Sequence, residues 1–363
     1  MKKYTIDFFL GANSCDGFQT FSNELTIPKK GNKSYLIKGG AGTGKSTFMR
    51  RVLIQCEKYF DFTERIFCSS DPNSFDGLLF NKGQISILDA TLPHSIEPAY
   101  PGSFQHIINL CGFLDEKKLT PRLETIVKLQ TKNNECHKNC CNLLKSASIL
   151  LQANEKEMSA ITNHEKVLEI AKKIAKKEFP KKLQSSPVEH KRLLSAITNI
   201  GNFCFEGTAN ALANKNYVID DEYGNVSNEI LQYLRQDLME KGYEIYSCYC
   251  PLNPKTKLEH LFVPALSLGF VNKTSYRSFD DIKEPNIISA RRFVDESLLQ
   301  NKQKIKFHKK IALAILDDAV NELKIAKKIH DELENQYKDA VDFSKVNVLC
   351  DEIISDIFDC LCG

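Results

Sequence analysis

The residue types with the clearest chemistry stand together near the start of the chain, in the segment Gly39-Gly40-Ala41-Gly42-Thr43-Gly44-Lys45-Ser46-Thr47. This segment fits the pattern G-x-x-x-x-G-K-[ST], in which backbone N–H groups and a helix N-terminus surround phosphate oxygens. In such a loop the lysine reaches the β- and γ-phosphates of a nucleotide, and the next hydroxyl binds Mg²⁺. The segment therefore predicts a site for ATP and Mg²⁺, with Lys45 as a catalytic residue and Ser46 as a metal ligand.

The elements that must position this loop are also visible in the sequence. Residues 35–38 (Tyr-Leu-Ile-Lys) form a short apolar strand directly before the glycines, and residues 48–54 (Phe-Met-Arg-Arg-Val-Leu-Ile) open a helix after them. A strand, a glycine loop and a helix in this order are the context that the motif requires. The alternative, a chance glycine turn, is disfavoured by this context.

A magnesium site of this kind needs a carboxylate from another strand. Residues 84–89 (Gln-Ile-Ser-Ile-Leu-Asp) form a short apolar strand that ends in Asp89. Ligands of open α/β sheets bind at the carboxyl ends of the strands, so we predict that Asp89 is the Walker-B carboxylate, with a catalytic and a Mg²⁺-binding role. The alternative is a turn-forming aspartate after a strand. No glutamate follows Asp89, so a neighbouring residue to activate water is missing, which argues against fast hydrolysis.

A third strand, residues 65–68, ends in the run Ser69-Ser-Asp71-Pro-Asn-Ser-Phe-Asp76-Gly77. Asp71, Asp76 and, further along, His94 are candidates to orient a water molecule or an acceptor hydroxyl. We predict Asp71 as the catalytic member of this group. Its alternative role is that of a turn residue before Pro72.

The chain also repeats itself weakly. Shifts of 182 to 184 residues align residues 35–37 with 217–219, Cys68 with Cys250, and residues 10–17 with 194–201. These matches keep their order along the chain and indicate a tandem duplication. The predicted fold class is therefore α/β, with two tandem P-loop NTPase-like parallel-sheet cores.

The second copy has lost the residues that bind nucleotide phosphates. Ser227 and Asn228 take the places of the lysine and the serine, Asn272 takes the place of Asp89, and carboxylates at 220–222 would repel a triphosphate. We predict an active P-loop domain over residues 1–183 and a degenerate P-loop-like domain over residues 188–363. Residues 180–187, which contain two prolines and two serines, are the best linker between them.

Each copy carries a helical arm, at about residues 115–180 and 288–363. Apolar residues recur at helical spacing over 143–151 and 167–175, and the second arm has a heptad seam that contains Leu316, Leu323, Ala319, Ala326 and Ala340. Small residues on such a seam suit close helix pairing, either within the chain or in a homo-oligomer. An ordinary amphipathic helix on a core is the alternative.

Composition excludes several classes of protein. Hydrophobic residues make up 42% and charged residues 26% of the chain, as in ordinary globular proteins rather than disordered ones, and the net charge is only +3. This balance, with glutamates among the lysines of 172–182, argues against a nucleic-acid partner. No apolar run suits a membrane span, the N-terminus is a poor signal peptide, and we expect a cytoplasmic protein with reduced cysteines. Within the cluster Cys136 to Cys141, a metal site and small apolar packing both remain open.

The motifs resemble those of a bacterial family of tandem P-loop proteins known mostly as predicted ATPases. The resemblance rests on GGAGTGKST, CSSDPNSFDG, and ILDATLPH with EPAYPGSFQHIINL, and the late segment AKKIHDELENQYKDAVDFSKVN is similar to the C-terminal helices of the family. It covers nearly the whole chain and implies ATP binding and hydrolysis. Members of the family tend to have an intact glycine loop in both halves, and this chain departs from them in the second.

Three functions stay open at this point. The first is a slow ATPase that couples its nucleotide state to a conformational change through the arms. The second is a kinase for a nucleotide or another small molecule, with Asp71 or Asp76 facing the acceptor hydroxyl. The third is a non-catalytic adaptor gated by ATP. The long arms favour the first, and the sequence identifies neither a protein partner nor a small-molecule partner.

Overall fold

The computed structural model describes residues 3–179, 182, 185–275 and 277–362, and within them the chain forms two six-stranded sheets with helices. The strands of the first half are β1 (Tyr4–Phe9), β2 (Gly11–Ser14), β3 (Gly17–Thr20), β4 (Lys33–Lys38), β5 (Phe62–Phe67), β6 (Phe75–Phe80), β7 (Ile85–Asp89) and β8 (Gln105–Asn109). The first sheet has the order β1-β5-β6-β7-β4-β8, and β2 and β3 form a separate hairpin. The predicted strand 35–38 lies within β4, and the predicted strands 65–68 and 84–89 match β5 and β7 except for one residue each at an end.

The second half repeats this arrangement. Its strands are β9 (Val188–Arg192), β10 (Ser195–Thr198), β11 (Gly201–Cys204), β12 (Lys215–Asp220), β13 (Glu244–Cys250), β14 (Asn253–Val263), β15 (Leu268–Lys273) and β16 (Asn286–Ser289). The sheet order, β9-β13-β14-β15-β12-β16, matches that of the first sheet strand for strand, and β10 and β11 form the matching hairpin. The chain therefore contains two α/β cores of equal topology.

The prediction of parallel sheets needs one correction, because both sheets are mixed. β6 runs antiparallel to β5 and to β7, and β14 runs antiparallel to β13 and to β15. Only residues 68–74 and 81–84 connect β6 to its neighbours. Connections this short join antiparallel strands, whereas a parallel crossover needs a dozen residues or more.

The helices of the described residues are α1 (Lys45–Cys56), α2 (Glu116–Leu119), α3 (Leu123–Ala160), α4 (His164–Glu178), α5 (Gly207–Leu212), α6 (Asn225–Glu240), α7 (Lys302–Tyr337) and α8 (Phe343–Cys362). None of them has both the length and the apolar character needed to cross a membrane. The two longest, α3 and α7, pack against each other along most of their length. They run antiparallel, because Arg122 at the start of α3 donates to the carbonyl of Gln336 and Asn154 near its end donates to that of Ile305.

The helical arms cross between the halves. α3 leaves the first sheet and leads to α4, which packs on α6 of the second half. In the opposite direction α7 leads to α8, which packs on α1 of the first half. The predicted apolar seam is buried in this crossing, where Ala319 and Leu323 of α7 contact Cys140 and Leu144 of α3. The arms therefore pair with each other within one chain.

The two sheets also meet directly. Phe9, at the end of β1, and Leu193, just after β9, exchange two backbone hydrogen bonds of 2.9 Å. Beside this contact the fully buried guanidinium of Arg192 binds the carboxylates of Glu64 and Glu24. Of the predicted linker, residues 180, 181, 183 and 184 lie outside the described residues.

Candidate functional site

The glycine loop (residues 39–44) joins the end of β4 to the start of α1. Gly42 and Gly44 have φ angles of 72° and 87°, a left-handed conformation that other residues adopt only with strain. Gly44 is the N-cap of α1, so Lys45 is the first helical residue. Its Nζ donates to the carbonyl oxygens of Gly39 and Gly40 at 2.7 and 3.0 Å. The loop thus combines a helix N-terminus with an ammonium group on the same side.

Asp89 lies beside this loop. β7 is the parallel neighbour of β4, and their register pairs Asp89 with Ile37, so the carboxylate stands at the same sheet edge as the glycines. Its Oδ2 is 3.7 Å from Lys45 Nζ, and its Oδ1 accepts a 2.8 Å hydrogen bond from the Thr91 N–H. The Thr91 hydroxyl in turn donates to the Gly39 carbonyl at 2.9 Å. The segment that follows β7 and the glycine loop are therefore held together by polar contacts.

The hydroxyls of the motif have separate positions. Ser46 Oγ accepts a 3.1 Å hydrogen bond from the N–H of Phe75, which fixes the hydroxyl at the start of β6. Thr43 is buried, and its Oγ1 donates to the Gly40 carbonyl at 2.8 Å, which braces the loop from inside. Thr47 is exposed in the first turn of α1. Of the three, Ser46 is the hydroxyl that follows Lys45 directly in the motif, and its described contact is with the start of β6.

Asp71 stands in the turn between β5 and β6. Its Oδ1 accepts from the N–H of Asn73 at 3.2 Å, as in the turn-forming role considered above. Its Oδ2 lies 3.4 Å from the ammonium group of Lys327, a residue of α7 from the second half. Its role in the turn and its pairing with Lys327 therefore have direct support. No described contact joins Asp71 to Lys45 or Asp89, and its catalytic role stays a prediction.

Asp76 and His94, the other two candidates, lie together with Cys68. Asp76 Oδ2 is 3.2 Å from His94 Nε2, and the side chains of both are largely buried. Ligand-type atoms of Cys68, Asp76 and His94 all lie within 4.8 Å of one another. Burial raises the pKa of the Asp76 carboxyl, although His94 opposes this shift and the charge of Asp89 adds to it. Burial also raises the pKa of the Cys68 thiol well above its usual value.

The end of α7 contributes to this site, which the sequence did not predict. A Cβ atom built on Gly42 would stand 2.7 Å from the carbonyl oxygen of Glu334, and one on Gly44 would stand 3.2 Å from the ring of Phe343. Tyr337 also contacts Gly42. The glycine loop of the first half is therefore covered by the end of α7 and the start of α8. The seam of small residues was the available signal, but it did not indicate which loop the helix reaches.

The matching loop of the second half has a different structure. Only four residues, 221–224, separate β12 from α6, against six in the first half. The buried carboxylate of Asp221 accepts hydrogen bonds from the N–H groups of Ser227 and Tyr223, at 2.8 and 3.3 Å. An internal carboxylate therefore caps the N-terminus of α6, where a P-loop would hold a phosphate group.

A lysine from another strand lies beside that loop. Lys257, on β14, donates to the Tyr223 carbonyl at 2.9 Å and to Glu155 of α3 at 2.7 Å. Its Nζ would be 2.6 Å from a Cβ atom at Gly224. Asn272, at the position of Asp89, is buried on β15. The charges of this loop are thus paired within the chain.

Comparison of the chain with protein-family models, with curated proteins and with solved structures found no match to any of them. The resemblance to the tandem P-loop family therefore stays a prediction, and the functional argument rests on the geometry described above.

Proposed function

We propose that the first half binds Mg-ATP at the glycine loop and hydrolyses it slowly, and that the second half does not bind nucleotide. The observation that carries the proposal is the position of Lys45. Its ammonium group stands at the N-terminus of α1, within 3.7 Å of Asp89, on a loop bent at two left-handed glycines. A nucleoside triphosphate with its magnesium ion fits this arrangement, in which a cation, a helix N-terminus and a carboxylate able to bind a metal lie side by side.

The residues of the loop have distinct roles in this proposal. Lys45 would exchange its bonds to the Gly39 and Gly40 carbonyls for bonds to phosphate oxygens. Ser46 and Asp89 would bind Mg²⁺, which when present neutralises charge on the β- and γ-phosphates. Asp89 is followed by Ala90 and Thr91, and Thr91 is bound to Asp89 and Gly39. No carboxylate at these two positions activates water, so we expect slow turnover.

Coupling to a conformational change has support in the contact between the loop and α7. Gly42 touches Glu334 and Tyr337 so closely that a single added carbon would clash. A loop that rearranges around phosphate groups therefore moves against the end of a helix that starts in the second half. This contact favours a nucleotide-dependent switch over a kinase, for which a small mobile lid would be sufficient.

Binding can be tested with Mg²⁺ and a non-hydrolysable ATP analogue in a calorimetric titration. We expect one nucleotide per chain, and loss of binding in Lys45→Ala because the phosphates lose their main cationic partner. Ser227→Ala, the change at the matching position of the second half, is the control and should leave binding unchanged. Two nucleotides per chain, or unchanged binding in Lys45→Ala, would contradict the proposal.

Phosphate release from ATP distinguishes the three functions that the sequence leaves open. Release by the purified protein alone, at a low rate, supports the ATPase. Conversion of ATP to ADP that starts only when cell-extract metabolites are added, with the phosphate group transferred to one of them and not released, supports a kinase. Binding of the analogue without release or transfer under either condition supports a non-catalytic adaptor.

A further inference from the structure

The cluster of Cys68, Asp76 and His94 lies outside the glycine loop, and none of the three residues is among the proposed ligands of the nucleotide or its magnesium ion. Its members come from three places: the residue after β5, the second residue of β6 and the connection after β7. Their ligand-type atoms all lie within 4.8 Å of one another, and His94 Nε2 is 3.2 Å from Asp76 Oδ2. Among the residues that the structure describes, no other group of three such side chains is as close.

This set of donors matches what a zinc-type cation selects. Zinc binds thiolate sulfur, imidazole nitrogen and carboxylate oxygen with bonds of about 2.0–2.3 Å, which puts neighbouring ligand atoms of a tetrahedral site roughly 3.3–3.8 Å apart. The distance between His94 Nε2 and Asp76 Oδ2, 3.2 Å, is close to this range, and the remaining pairs lie within 4.8 Å. Sites with three protein ligands keep a fourth position for water or substrate. The ring of Phe18 meets that of His94 edge-on, with centroids 4.9 Å apart, and restricts the imidazole.

The second half offers an internal comparison. Shifts of 182 and 183 residues place Cys250, Glu259 and Arg277 at the positions of Cys68, Asp76 and His94. There the guanidinium of Arg277 binds both oxygens of the Glu259 carboxylate, and both side chains are buried. In each half the neighbouring cysteine lowers the pKa of its carboxyl group. The two halves thus share a cysteine–carboxylate pair, partly buried in the first half and buried in the second.

The difference between the halves lies in the cation. Arginine carries a permanent charge, so the carboxylate of Glu259 is neutralised by the chain itself. In the first half the matching residue is a histidine, which is an acceptor and a metal ligand when it is neutral. A buried carboxylate is costly unless it is paired or binds a metal. A divalent ion would supply at Asp76 the charge that Arg277 supplies at Glu259.

We propose that Cys68, Asp76 and His94 form a site for a divalent transition-metal ion of the zinc class. The thiol releases its proton as the metal binds, and a water molecule completes the coordination. The site lies beside the proposed nucleotide site, since the charges of Lys45 and Asp89 both act on Asp76. The inference does not depend on nucleotide binding, because none of the three ligands belongs to the glycine loop or is Asp89.

Titration of the full-length, metal-stripped protein with Co²⁺, without nucleotide, tests the site. Cobalt bound to a thiolate gives a sulfur-to-metal charge-transfer absorption, and we expect this absorption to saturate at one ion per chain and to be displaced by Zn²⁺. Cys68→Ser should abolish it. His94→Gln should weaken Co²⁺ binding by at least roughly 10–100-fold, which is the loss expected when a residue that only hydrogen-bonds to a metal ligand is removed.

Three further variants keep the test decisive. His94→Arg gives the first half the residue of the second half, so it should stay folded by circular dichroism and lose Co²⁺ binding. Cys111→Ser, at an exposed cysteine elsewhere, should leave the absorption unchanged. Lys45→Ala should still bind one Co²⁺ per chain with the same sulfur-to-metal absorption, which separates this site from nucleotide binding. The inference is overturned if the unaltered protein binds no Co²⁺ stoichiometrically, or if Cys68→Ser or His94→Arg retains the absorption.

Discussion

The ammonium group of Lys45 has partners on two sides, the carbonyls of its own loop at 2.7 and 3.0 Å and the carboxylate of Asp89 at 3.7 Å. Asp89 in turn is oriented by the Thr91 N–H. These bonds hold the lysine at the helix N-terminus before any phosphate group arrives. Side chains that are already in position lose less conformational freedom on binding, so this arrangement favours affinity for an anionic ligand.

The role of Asp89 gives a prediction at the scale of one residue. Asp89→Asn keeps the size of the side chain and the apolar strand β7 but removes a negative ligand of Mg²⁺. We expect ATP turnover to fall roughly tenfold or more, while nucleotide affinity measured without Mg²⁺ hardly changes. Asp71→Asn, which alters the turn and the contact with Lys327, is the comparison: lost turnover would support the predicted catalytic role of Asp71, and retained turnover would leave it as a turn residue. A fully active Asp89→Asn together with an inactive Asp71→Asn would show that the metal carboxylate is Asp71, in the turn after β5, and not Asp89 at the end of β7.

The predictability of the site follows from how local each part is. The glycine loop is contiguous, and Asp89 ends a strand whose apolar pattern is plain, so both could be located from the sequence. Asp76 and His94 were found as single candidates, but their meeting with Cys68 depends on the antiparallel turn between β5 and β6. The spacing of residues along the chain does not contain that contact. The repeat that aligns Cys68 with Cys250 was the only hint.

At the scale of elements, the strands and the amphipathic helices followed their patterns. The stripe of Val167, Ala171, Ile174 and Ala175 is buried on α4, and the small residues of α7 are buried against α3. Periodicity identifies which face of a helix is buried but not which element covers it. For this reason the exchange of α4 and α8 between the halves could not be predicted from the apolar pattern.

The seam between α3 and α7 gives a prediction at this scale. Ala326 is buried on the α7 side of the seam, so Ala326→Leu overpacks one layer and should destabilise the protein by about 1–3 kcal/mol. The C-terminal end of α7 contacts Gly42 of the glycine loop. For this reason we also expect altered ATP turnover and altered hydrogen exchange of the arm amides on nucleotide binding. Ala314→Leu, at an exposed position of α7, is the matched control and should change neither the stability nor the ATP turnover nor the hydrogen exchange of the arms.

Two outcomes would contradict the coupling between the arms and the loop. One is an Ala326→Leu variant that is destabilised as expected but hydrolyses ATP at the unaltered rate. The other is identical exchange of the α3 and α7 amides with and without nucleotide. Either result would leave α7 as a static cover of the glycine loop and would favour the kinase.

At the scale of the whole molecule, the two halves are joined by more than the linker. Three sets of contacts cross the boundary between them: the backbone bonds of Phe9 with Leu193, the buried Arg192 with its two carboxylates, and the antiparallel pair α3 and α7. One buried cluster contains residues of both sheets, among them Phe8, Phe62, Tyr246 and Phe262. The molecule thus has two cores of equal topology, and each is completed by a helix that the other half supplies.

This exchange leads to the last prediction, which concerns fragments cut at the linker. A fragment of residues 1–183 keeps α1 but loses α8, whose Val346, Ile354 and Ile357 are buried against the first core. Burial of each large aliphatic side chain is worth about 1.5–3 kcal/mol, so the loss is comparable to the total stability of roughly 5–15 kcal/mol of an ordinary domain. Each fragment alone should therefore lack a cooperative thermal transition, whereas fragments 1–183 and 188–363 produced together should form a one-to-one complex that binds the ATP analogue. The full-length chain, cleaved by a protease only at the linker, is the control and should retain its transition. A fragment 1–183 that unfolds cooperatively and binds the analogue without its partner would show that the first core is stable without α8.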